Sequence, residues 1–497
     1  MELAWPQDVA AAVVALAGEG ELAWLDDATG VPDLVSDGCG AVGRGMPRAG
    51  DGDGRVGLVC TAPLGVLEQP RGGPAVFRVG RRVVARDANG WRLWRRLARE
   101  MRRGPLMSPI SPGWVGYVSF EMVRLLERLP ATAADDLGLP LLRMALYDRG
   151  IVLDYRRQAA TLVEAPGLRM ALGLPGEPVN GLAERWNACA VVSEPALAAV
   201  SACRPPCADI SRADYEAMVG RALEYIAAGD IYQVNLARRL RFDDAGDPRR
   251  AYRRLRRGNP AAYGALLCWE DGAVVSVSPE LFLRTRGREV LTSPIKGTRP
   301  HTGDPARDAE HRAGLIASAK EQAELAMIVD LHRNDLGRVC EFGSVRVRCP
   351  RRIETHPTVF HAVADVAGRL RSGCDSLDLL RACFPAGSVT GVPKIRAIEI
   401  IDELEPVARG AYTGAVGVLG LDGRMVLNVA IRTLQFRGQT ATLYGGGGIV
   451  ADSDPGREYE ETADKLRGIV RAMTGQAAGE AGVVVPPATE IAGGHRA

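Results

Sequence analysis

The segment from Ser211 to Phe242 changes from a helical to a strand-like apolar period within a few residues. Apolar side chains recur every three to four positions after Ser211, a residue type that commonly caps a helix, and Gly229 is placed to end that helix. From Ile231 onward polar and apolar residues alternate, which is typical of a strand. The chain must therefore fold into a structure that combines helices and strands.

Gln233 and Asn235 lie on one face of that predicted strand. Two amides on one strand face fit either the lining of a polar pocket or a surface that faces solvent. The second is the commoner case for a strand taken alone, because amide side chains are mostly exposed. The pattern leaves both interpretations open.

Two further helices are predicted, over 318–339 and 455–473, and each carries a Glu-x-x-Glu pair whose members project from one face. Four glutamates could frame a hard cation, two of them directly and two through water, because magnesium takes only one or two protein carboxylates. Exposed helices are also rich in glutamate, which is the simpler explanation. The residues concerned are Glu321 and Glu324, then Glu458 and Glu461, with Lys465 on the same stripe.

Glycine-rich segments at 384–393 and 445–448 offer free backbone N–H groups to an anion. Neither matches a phosphate-binding or dinucleotide-binding motif, so they favour a small carboxylate ligand over a nucleotide. The first segment leads into a helix that begins near Pro393. Its buried side is expected to carry Ile395, Ile398 and Ile401.

Two single cations stand out in apolar surroundings. The runs "YTGAVGVL" (412–419) and "NVAIRTLQF" (428–436) predict a pair of buried strands, and Arg432 interrupts the second. A substrate carboxylate and an internal Asp or Glu explain this arginine equally well. In "SPIKGTRP" (293–300), Lys296 is either a solvated loop lysine, the commonest case, or an unprotonated amine that acts as a nucleophile.

Composition argues against several classes of function. The chain has 497 residues with 46% apolar and 25% charged residues and a net charge of +2, so no global field attracts nucleic acid or a membrane surface. The apolar run at 9–18 has no basic start and is too short to span a bilayer. We expect a cytoplasmic protein with an N-terminal region at 1–200, a motif-rich region at 208–472 and a flexible tail at 473–497.

Eight motifs resemble, in their order along the chain, those of the chorismate-binding enzymes, which include anthranilate, aminodeoxychorismate, isochorismate and salicylate synthases. They are "GDIYQVNLARRL", "SPIKGTRP", "KEQAELAMIVDLHRNDLGRV", "GSVTGVPKIRAIEIIDELEP", "YTGAVG", "AIRT", "GGGGIVADSDP" and "EYEETADK". The resemblance covers most of 208–472 and extends more weakly to 113–130. It implies an α/β fold in which two antiparallel β-sheets pack on each other with helices outside.

The resemblance also implies a site for chorismate with Mg²⁺ as cofactor. Glu324 and Glu461 would bind the metal directly, with Glu321 and Glu458 behind water. The ring carboxylate would meet the glycine run, and Tyr412 and Arg432 would hold the other carboxylate. The implied catalytic residues are Lys296, Glu280 and His361. The implied substrate-binding residues are Gly297, Thr298, Arg299, Tyr412, Arg432, Gly446, Gly447, Gly448 and Lys465.

The residue at position 296 separates activities within the family. Anthranilate and salicylate synthases that resemble this chain carry alanine there, whereas aminodeoxychorismate synthases carry this lysine. The resemblance therefore implies attack by Lys296 at ring C2, with Glu280 as general acid for the C4 hydroxyl, followed by entry of ammonia at C4. Members that use water place a lysine base where Gln233 stands, so water activation is not expected.

The chain carries no glutaminase signature, so the resemblance implies a separate glutamine amidotransferase subunit that supplies ammonia. Two alternatives remain beside this activity. Anthranilate synthase component I is one, although alanine at 296 would be expected for it. A catalytically silent regulatory subunit is the other, and loss of Glu324, Glu461, His361 or Lys296 would have indicated it.

Overall fold

The computed structural model of the chain describes residues 1–18, 20–27, 56–106, 108–176, 180–192 and 203–475, so the predicted tail lies outside it from residue 476 onward. Before residue 203 the elements are, in chain order, β1 (Glu2–Leu3), α1 (Val9–Ala17), β2 (Leu22–Asp26), β3 (Val56–Thr61), β4 (Gly65–Gln69), β5 (Ala75–Val79), β6 (Arg82–Asp87), α2 (Gly90–Glu100), β7 (Gly113–Val118), β8 (Leu142–Leu146), β9 (Arg149–Asp154), β10 (Ala159–Glu164), α3 (Leu168–Ala171) and α4 (Asn180–Ala190). A 3₁₀ helix at Phe120–Leu125 follows β7.

From residue 203 the elements are β11 (Cys207–Ala208), α5 (Arg212–Ala227), β12 (Gln233–Phe242), α6 (Pro248–Gly258), β13 (Tyr263–Trp269), β14 (Gly272–Ser278), β15 (Leu281–Arg286), β16 (Glu289–Ser293), β17 (Ile295–Pro300), α7 (Pro305–Ala317), α8 (Ala319–Gly337), β18 (Arg346–Thr355), β19 (Val359–Arg369), α9 (Ser376–Cys383), β20 (Gly391–Val392), α10 (Lys394–Leu404), β21 (Ala415–Gly420), β22 (Met425–Val429), β23 (Thr433–Arg437), β24 (Thr440–Ile449) and α11 (Pro455–Thr474). A 3₁₀ turn at Gly387–Val389 precedes β20.

The strands of the described residues form two twelve-stranded sheets. The first has the order β1-β10-β9-β3-β2-β13-β14-β23-β24-β12-β11, with β20 also paired to β12. The second has the order β17-β19-β16-β15-β22-β21-β7-β8-β4-β5-β6, with β18 also paired to β19. Neighbouring strands run antiparallel in both sheets.

Three apolar layers hold the sheets and helices together. Between the sheets, Leu58 and Val274 of the first pack with Tyr117 and Val418 of the second. Helices α1, α4, α6 and α11 cover the outer face of the first sheet, and α2, α8 and α9 cover the second. Burial of these apolar faces on both sides of each sheet is the main stabilising contribution. The predicted α/β fold of two packed antiparallel sheets with outer helices is confirmed.

Strands from both halves of the sequence hydrogen-bond within each sheet. In the first sheet β2 pairs with β13, and in the second β7 pairs with β21. The two regions therefore share both sheets rather than forming separate ones. The division into 1–200 and 208–472 stays a prediction about sequence organisation.

The helices predicted around the candidate site form where the sequence indicates. Helix α5 begins after Ser211, whose hydroxyl accepts the Asp214 N–H while the Asp214 carboxylate accepts the Ser211 N–H. This capping box satisfies two backbone donors that would otherwise be unpaired. Helix α8 begins after Ser318, and α11 begins at Pro455, so both glutamate pairs lie on helices as predicted.

The prediction for Ile395 is wrong. Ile398 and Ile401 of α10 are buried, whereas Ile395 is 40% exposed. The buried face also holds Ala397 and Ile400, and at 3.6 residues per turn Ile395 lies about 120° from the middle of that face. Its spacing from Ile398 matched a helical period, but the face is centred on the other side of the helix.

The run at 428–436 is not one strand, which corrects the second strand prediction. Its start belongs to β22, which pairs with β21 in the second sheet, and its end belongs to β23 in the first sheet. The chain crosses between the sheets at Arg432, whose φ of 51° lies in the left-handed region. The crossover places Arg432 between the two layers.

Candidate active site

The candidate site lies where Lys296 of β17 approaches Gly448 of β24, so that each sheet contributes one strand. A methyl group built on Gly448 would lie 3.3 Å from Lys296 Nζ and 2.9 Å from Gln233 Nε2. Gln233 is the first residue of β12, which pairs with β24 over residues 234–242. The lysine predicted to be the nucleophile therefore faces the glycine run and the strand that carries the two amides.

The glycine run of β24 is required by close packing. A methyl group on Gly446 would lie 2.8 Å from Tyr412 Oη, and one on Gly447 would lie 3.0 Å from Glu458 Oε2. Real side chains almost never approach so closely, so any larger residue would displace these groups. The structure thus brings three predicted substrate-binding residues and one predicted metal ligand together at this strand.

The glutamates of α8 and α11 lie within electrostatic reach of one another. Burial raises the pKa of Glu324; the cations of Lys296 and Lys320 oppose the rise, and the carboxylates of Glu461 and Glu321 add to it. Glu458 is buried and accepts a hydrogen bond from Ser453 Oγ at 2.6 Å. Carboxylates that repel one another in a partly desolvated position are stabilised in their ionised form by a nearby positive charge.

Lysine 465 supplies part of that positive charge. Its Nζ lies 2.7 Å from Glu461 Oε1 and donates to the Gly446 carbonyl at 2.9 Å. Burial opposes ionisation of Glu461, but Lys465, then Lys296 and Lys320, hold the pKa of this carboxyl below its usual value. The ion pair links α11 to the glycine run of β24.

The carboxylates also fit a divalent cation. Glu321 Oε2 is buried and has no hydrogen-bond partner, so one oxygen of that side chain is left for a ligand. Within the described ranges no three His, Cys, Asp or Glu side chains form a metal-binding group. Magnesium that keeps its waters needs only one or two protein carboxylates, so this arrangement suits it. The magnesium site stays a prediction.

Gly297 and Arg299 pack against Glu321 in this structure. Arg299 Nη1 donates to Glu321 Oε1 at 2.7 Å. Gly297 has a φ of 90°, and a methyl group on it would lie 3.0 Å from Glu321 Oε2. Both were predicted to bind substrate. Their observed contacts place them beside a predicted metal-site residue, and a direct substrate contact stays a prediction.

Glu280 is a carboxyl group poised near neutrality. It is 3% exposed, and burial raises its pKa to about 7, although the Ser388 hydroxyl, Lys296 and the Ile295 N–H act in the opposite direction. Ser388 Oγ donates to Glu280 Oε1 at 2.6 Å. A carboxylic acid with such a pKa keeps a proton that it can donate at neutral pH.

The pKa of Lys296 is shifted in the opposite direction. The lysine is half-buried, and desolvation lowers its pKa; Lys465 acts in the same direction, while Glu324, Glu280 and Glu461 oppose it. An amine with a lowered pKa is unprotonated in a larger fraction of molecules and is therefore a better nucleophile. The geometry favours the nucleophile over the solvated loop lysine.

His361 is held in a neutral state on β19. Burial lowers its pKa well below the usual value, and the cation of Arg432 adds to this effect. Its Nδ1 lies 2.9 Å from Thr298 Oγ1, and its buried Nε2 has no hydrogen-bond partner. Thr298 therefore fixes the ring, and Nε2 is left for a ligand group.

Arg432 has no carboxylate partner among the residues that the structure describes, and its guanidinium makes no side-chain hydrogen bond there. Burial alone lowers its pKa. Of the two explanations that the sequence left open, the internal Asp or Glu is thus not observed. An unpaired, partly desolvated arginine beside His361 is chemically suited to an anionic ligand, and its role in substrate binding stays a prediction.

We expect Arg432→Gln to raise the KM for the substrate about 10- to 100-fold, because a charge-assisted pair with its carboxylate is lost. The melting temperature should stay unchanged or rise, because the substitution removes a desolvated cation that no protein group neutralises. Steady-state kinetics and a thermal melt measure the two effects.

Arg143→Gln is the control, because Arg143 is a buried arginine that lies in β8 and pairs with Glu21 at 2.8 Å. We expect it to lower the melting temperature and leave KM unchanged. A fall in stability for Arg432→Gln with an unchanged KM would show that Arg432 is a structural residue.

The two amides of β12 line the interior. Gln233 is 0% exposed and Asn235 is 6% exposed, so the solvent-facing interpretation is wrong, and the lining of a polar pocket stays a prediction. Both polar atoms of Gln233 are buried without hydrogen-bond partners. Buried amides left unpaired in the protein are costly unless a ligand or water pairs them.

Lysine is rare in this chain and is concentrated at the site. Of 62 Lys and Arg residues only four are lysine, and three of these act on the pKa of Glu461. Arginine does not deprotonate in proteins, so a cation that must lose its proton has to be lysine. The fourth, Lys394, pairs with Asp335 at 2.6 Å behind the turn at 387–389.

This rarity allows a direct test of the pKa of Lys296. We expect the pH midpoint of its modification by an amine-reactive reagent to lie below that of Lys320, which is about half-exposed. Peptide mass mapping gives the modified fraction of each lysine at each pH, and each fraction is divided by the maximum reached by that lysine. Unequal access of the reagent therefore does not affect the comparison. Equal midpoints would contradict an environment that favours the unprotonated amine.

Ser388 was missed by the sequence analysis, although it contacts a predicted catalytic group. The sequence does contain a sign of this role, because Ser388 lies in the turn "AGSVTG". That turn was interpreted above only as a source of free backbone N–H groups at its glycines. The 3₁₀ turn at Gly387–Val389 aims its hydroxyl at Glu280. A serine inside a glycine-rich turn next to a helix start is a candidate hydrogen-bond donor in its own right.

A poised amine, a carboxyl group that titrates near neutrality and an unpaired arginine together are typical of an enzyme site for a small anionic substrate. The family of chorismate binding enzymes matches the chain over residues 68–471. The chain belongs to that family.

Relatives with two different names are similar to this chain. Aminodeoxychorismate synthase component 1 of Klebsiella aerogenes is 40% identical over 73% of this chain and 78% of its own length. Anthranilate synthase component 1 of Thermus thermophilus is 42% identical over 80% and 85%. The crystal structure of anthranilate synthase component I from Streptococcus pneumoniae superposes with a TM-score of 0.72 at 29% identity and covers 87% of this chain and 94% of its own.

These similarities define a chorismate-utilising enzyme of the anthranilate and aminodeoxychorismate synthase group, and they do not separate the two products. In the described ranges no helix has the length and apolar character needed to cross a membrane.

Proposed function

We propose that this protein converts chorismate and ammonia to 4-amino-4-deoxychorismate, as an aminodeoxychorismate synthase component I. The observation that carries the proposal is the position of Lys296. Its amine lies beside Gly448 and within electrostatic reach of the carboxyl groups of Glu280 and Glu324. An anthranilate synthase needs no nucleophilic side chain at this position, whereas amination at C4 through a covalent intermediate does.

The proposed reaction has two steps that balance. Unprotonated Lys296 attacks ring C2, the two ring double bonds shift, and the C4 hydroxyl leaves as water with the proton of Glu280. The alkylated amine then returns a proton to the Glu280 carboxylate. Ammonia attacks C4, the double bonds shift back, and Lys296 leaves as the free amine with the proton of Glu280. The new C4 ammonium group then returns one proton to the Glu280 carboxylate. The net change replaces the C4 hydroxyl by an amino group and keeps the enolpyruvyl ether.

The remaining residues orient the substrate in this proposal. Arg432 and Tyr412 hold one carboxylate, and burial raises the pKa of Tyr412 to about 12, so its hydroxyl stays a donor. His361 offers neutral Nε2 beside the ring. Gln233 supplies an amide where a base would be needed to activate water, so water is not deprotonated at C2.

Glu324 and Glu461 would hold magnesium, with Glu321 and Glu458 behind water. A bound magnesium ion would neutralise the ring carboxylate and fix the ring in place. Lys465 would keep α11 and the glycine run in register whether or not the metal is present, because its ion pair with Glu461 and its bond to Gly446 join the two.

We also propose that a glutamine amidotransferase subunit supplies the ammonia. The names of the relatives as component 1 support a partner. Anthranilate synthase component I is the second candidate function, because a relative with that name is 42% identical.

A product assay on the purified chain tests the proposal. Chorismate, magnesium and ammonium are supplied at a pH near the pKa of ammonium, and products are separated by chromatography with mass detection. We expect an ammonia-dependent product that retains the enolpyruvyl group and gives 4-aminobenzoate when a lyase is added. Anthranilate with released pyruvate would overturn the proposal, and a chelator arm tests the need for metal.

A further inference from the structure

Arg409 is a buried cation that no predicted motif singled out. It is 1% exposed and lies between α10 and β21, behind the candidate site. Glu405 neutralises it: Arg409 Nη2 and Nε donate to Glu405 Oε1 and Oε2 at 2.5 and 2.8 Å. A bidentate pair of this kind leaves the remaining guanidinium donors free for other acceptors.

Those donors connect three separate elements of the site. Nη2 donates to the Asn235 carbonyl of β12 at 2.6 Å. Nη1 donates to the Val389 carbonyl at 3.1 Å and to Thr413 Oγ1 at 3.2 Å. Asn235 itself faces the site. Val389 and Thr413 are each next in sequence to a residue that faces it, Ser388 and Tyr412 respectively.

The three elements need such a connection. Thr413 has a φ of 58°, an unfavourable conformation for a β-branched residue, and its hydroxyl donates to the Tyr412 carbonyl at 2.6 Å. The turn with Val389 also presents Ser388 to Glu280. The segments with Val389 and Thr413 are not fixed by a long helix or strand, so side-chain bonds to Arg409 connect them to β12.

We propose that Arg409 is the positioning residue that sets the acid and the carboxylate-binding groups of the site relative to one another. Glu405 reinforces it by accepting the Ala237 N–H at 2.9 Å, and Glu121 accepts the Arg409 N–H at 2.8 Å. Arg409 touches no substrate in this role. It acts through Ser388 on Glu280 and through Thr413 on Tyr412.

The test is Arg409→Lys, which keeps a charge beside Glu405 but loses the planar fork. The inference rests on the proposed function, so the kinetic readout is chorismate consumption at constant free ammonia, which does not depend on which product forms. We expect kcat/KM to fall about 10- to 100-fold, with KM raised, because the site groups shift by a fraction of an ångström or more.

A pH profile distinguishes positioning from a structural role. Ser388 stabilises the ionised form of Glu280, which also faces Lys296 and the Ile295 N–H. If Ser388 moves away, the pKa of Glu280 rises, and the acid stays protonated to a higher pH. The decline of kcat on the alkaline side of the profile therefore shifts to higher pH. Ser388→Ala should give the same shift, and the double variant should give no further shift.

Amide hydrogen exchange gives a readout that needs no turnover. In Arg409→Lys we expect faster exchange at 386–391 and 410–414 and unchanged exchange in β7 and β8. Arg143→Lys, a paired buried arginine in β8 away from the site, is the control and should leave KM, the alkaline limb and exchange at 386–391 and 410–414 unchanged. A lower melting temperature for Arg409→Lys with wild-type KM, alkaline limb and local exchange would overturn the proposal.

Discussion

Lys296→Ala is expected to lower kcat for formation of 4-amino-4-deoxychorismate by at least about 10³-fold, because the covalent step has no other amine in position. Chorismate binding should change little, since the anion-binding residues Arg432 and Tyr412 are untouched. The measurement is product formation by mass-detected chromatography with ammonium, together with chorismate binding to each variant.

Lys320→Ala is the matched control. Lys320 is about half-exposed and lies 3.9 Å from Glu324, so it belongs to the same electrostatic neighbourhood without reaching Gly448. An exposed ion pair of this kind contributes little, so we expect kcat within about threefold of wild type. If Lys296→Ala kept its C4-amination rate, the nucleophilic role would be wrong and the lysine would be one more cation beside the carboxylates.

The second large loss of kcat is expected for Glu280→Gln. The leaving hydroxyl needs a proton, and removing a positioned general acid costs about 10²- to 10⁴-fold in kcat. Because burial raises the pKa of Glu280 to about 7, its protonated fraction falls as pH rises through that value. At constant free ammonia, wild-type kcat should therefore decline above about pH 7, and this decline should vanish in Glu280→Gln.

Glu399→Gln supplies the control for that profile, since Glu399 lies on α10 and pairs with Arg396 at 3.1 Å near the surface. Its pH profile should match that of wild type. An alkaline decline that persists in Glu280→Gln would assign the titrating group elsewhere and remove Glu280 from the acid role.

Local features of the sequence predicted the local parts of the site well. Ser211 and Pro455 marked helix starts because capping and first-turn preferences depend on neighbouring residues only. The Glu-x-x-Glu pairs fell on helices for the same reason. The expectation that Lys296 and the glycine run share one site came from the family resemblance. The structure brings Lys296 and Gly448 together.

Features that depend on distant contacts were not predictable in this way. The segment around Arg432 has the sequence pattern of one continuous apolar strand. That pattern is the same whether both ends lie in one sheet or, as here, in two different sheets. The burial of Gln233 depends on β24 and β20, which lie more than a hundred residues away along the chain. Arg409 resembles any arginine near a helix end until Asn235 and Val389 are folded against it.

The central claim is that Lys296 forms a covalent bond to the ring during turnover. The most direct measurement mixes the chain with chorismate and magnesium without ammonium, quenches with acid within the first turnover and maps the peptides by mass. We predict that the peptide with Lys296 gains the mass of chorismate less one water, and that added ammonium removes this adduct as product appears. Formation of the aminated product with Lys296 unmodified at every quench time would contradict the account.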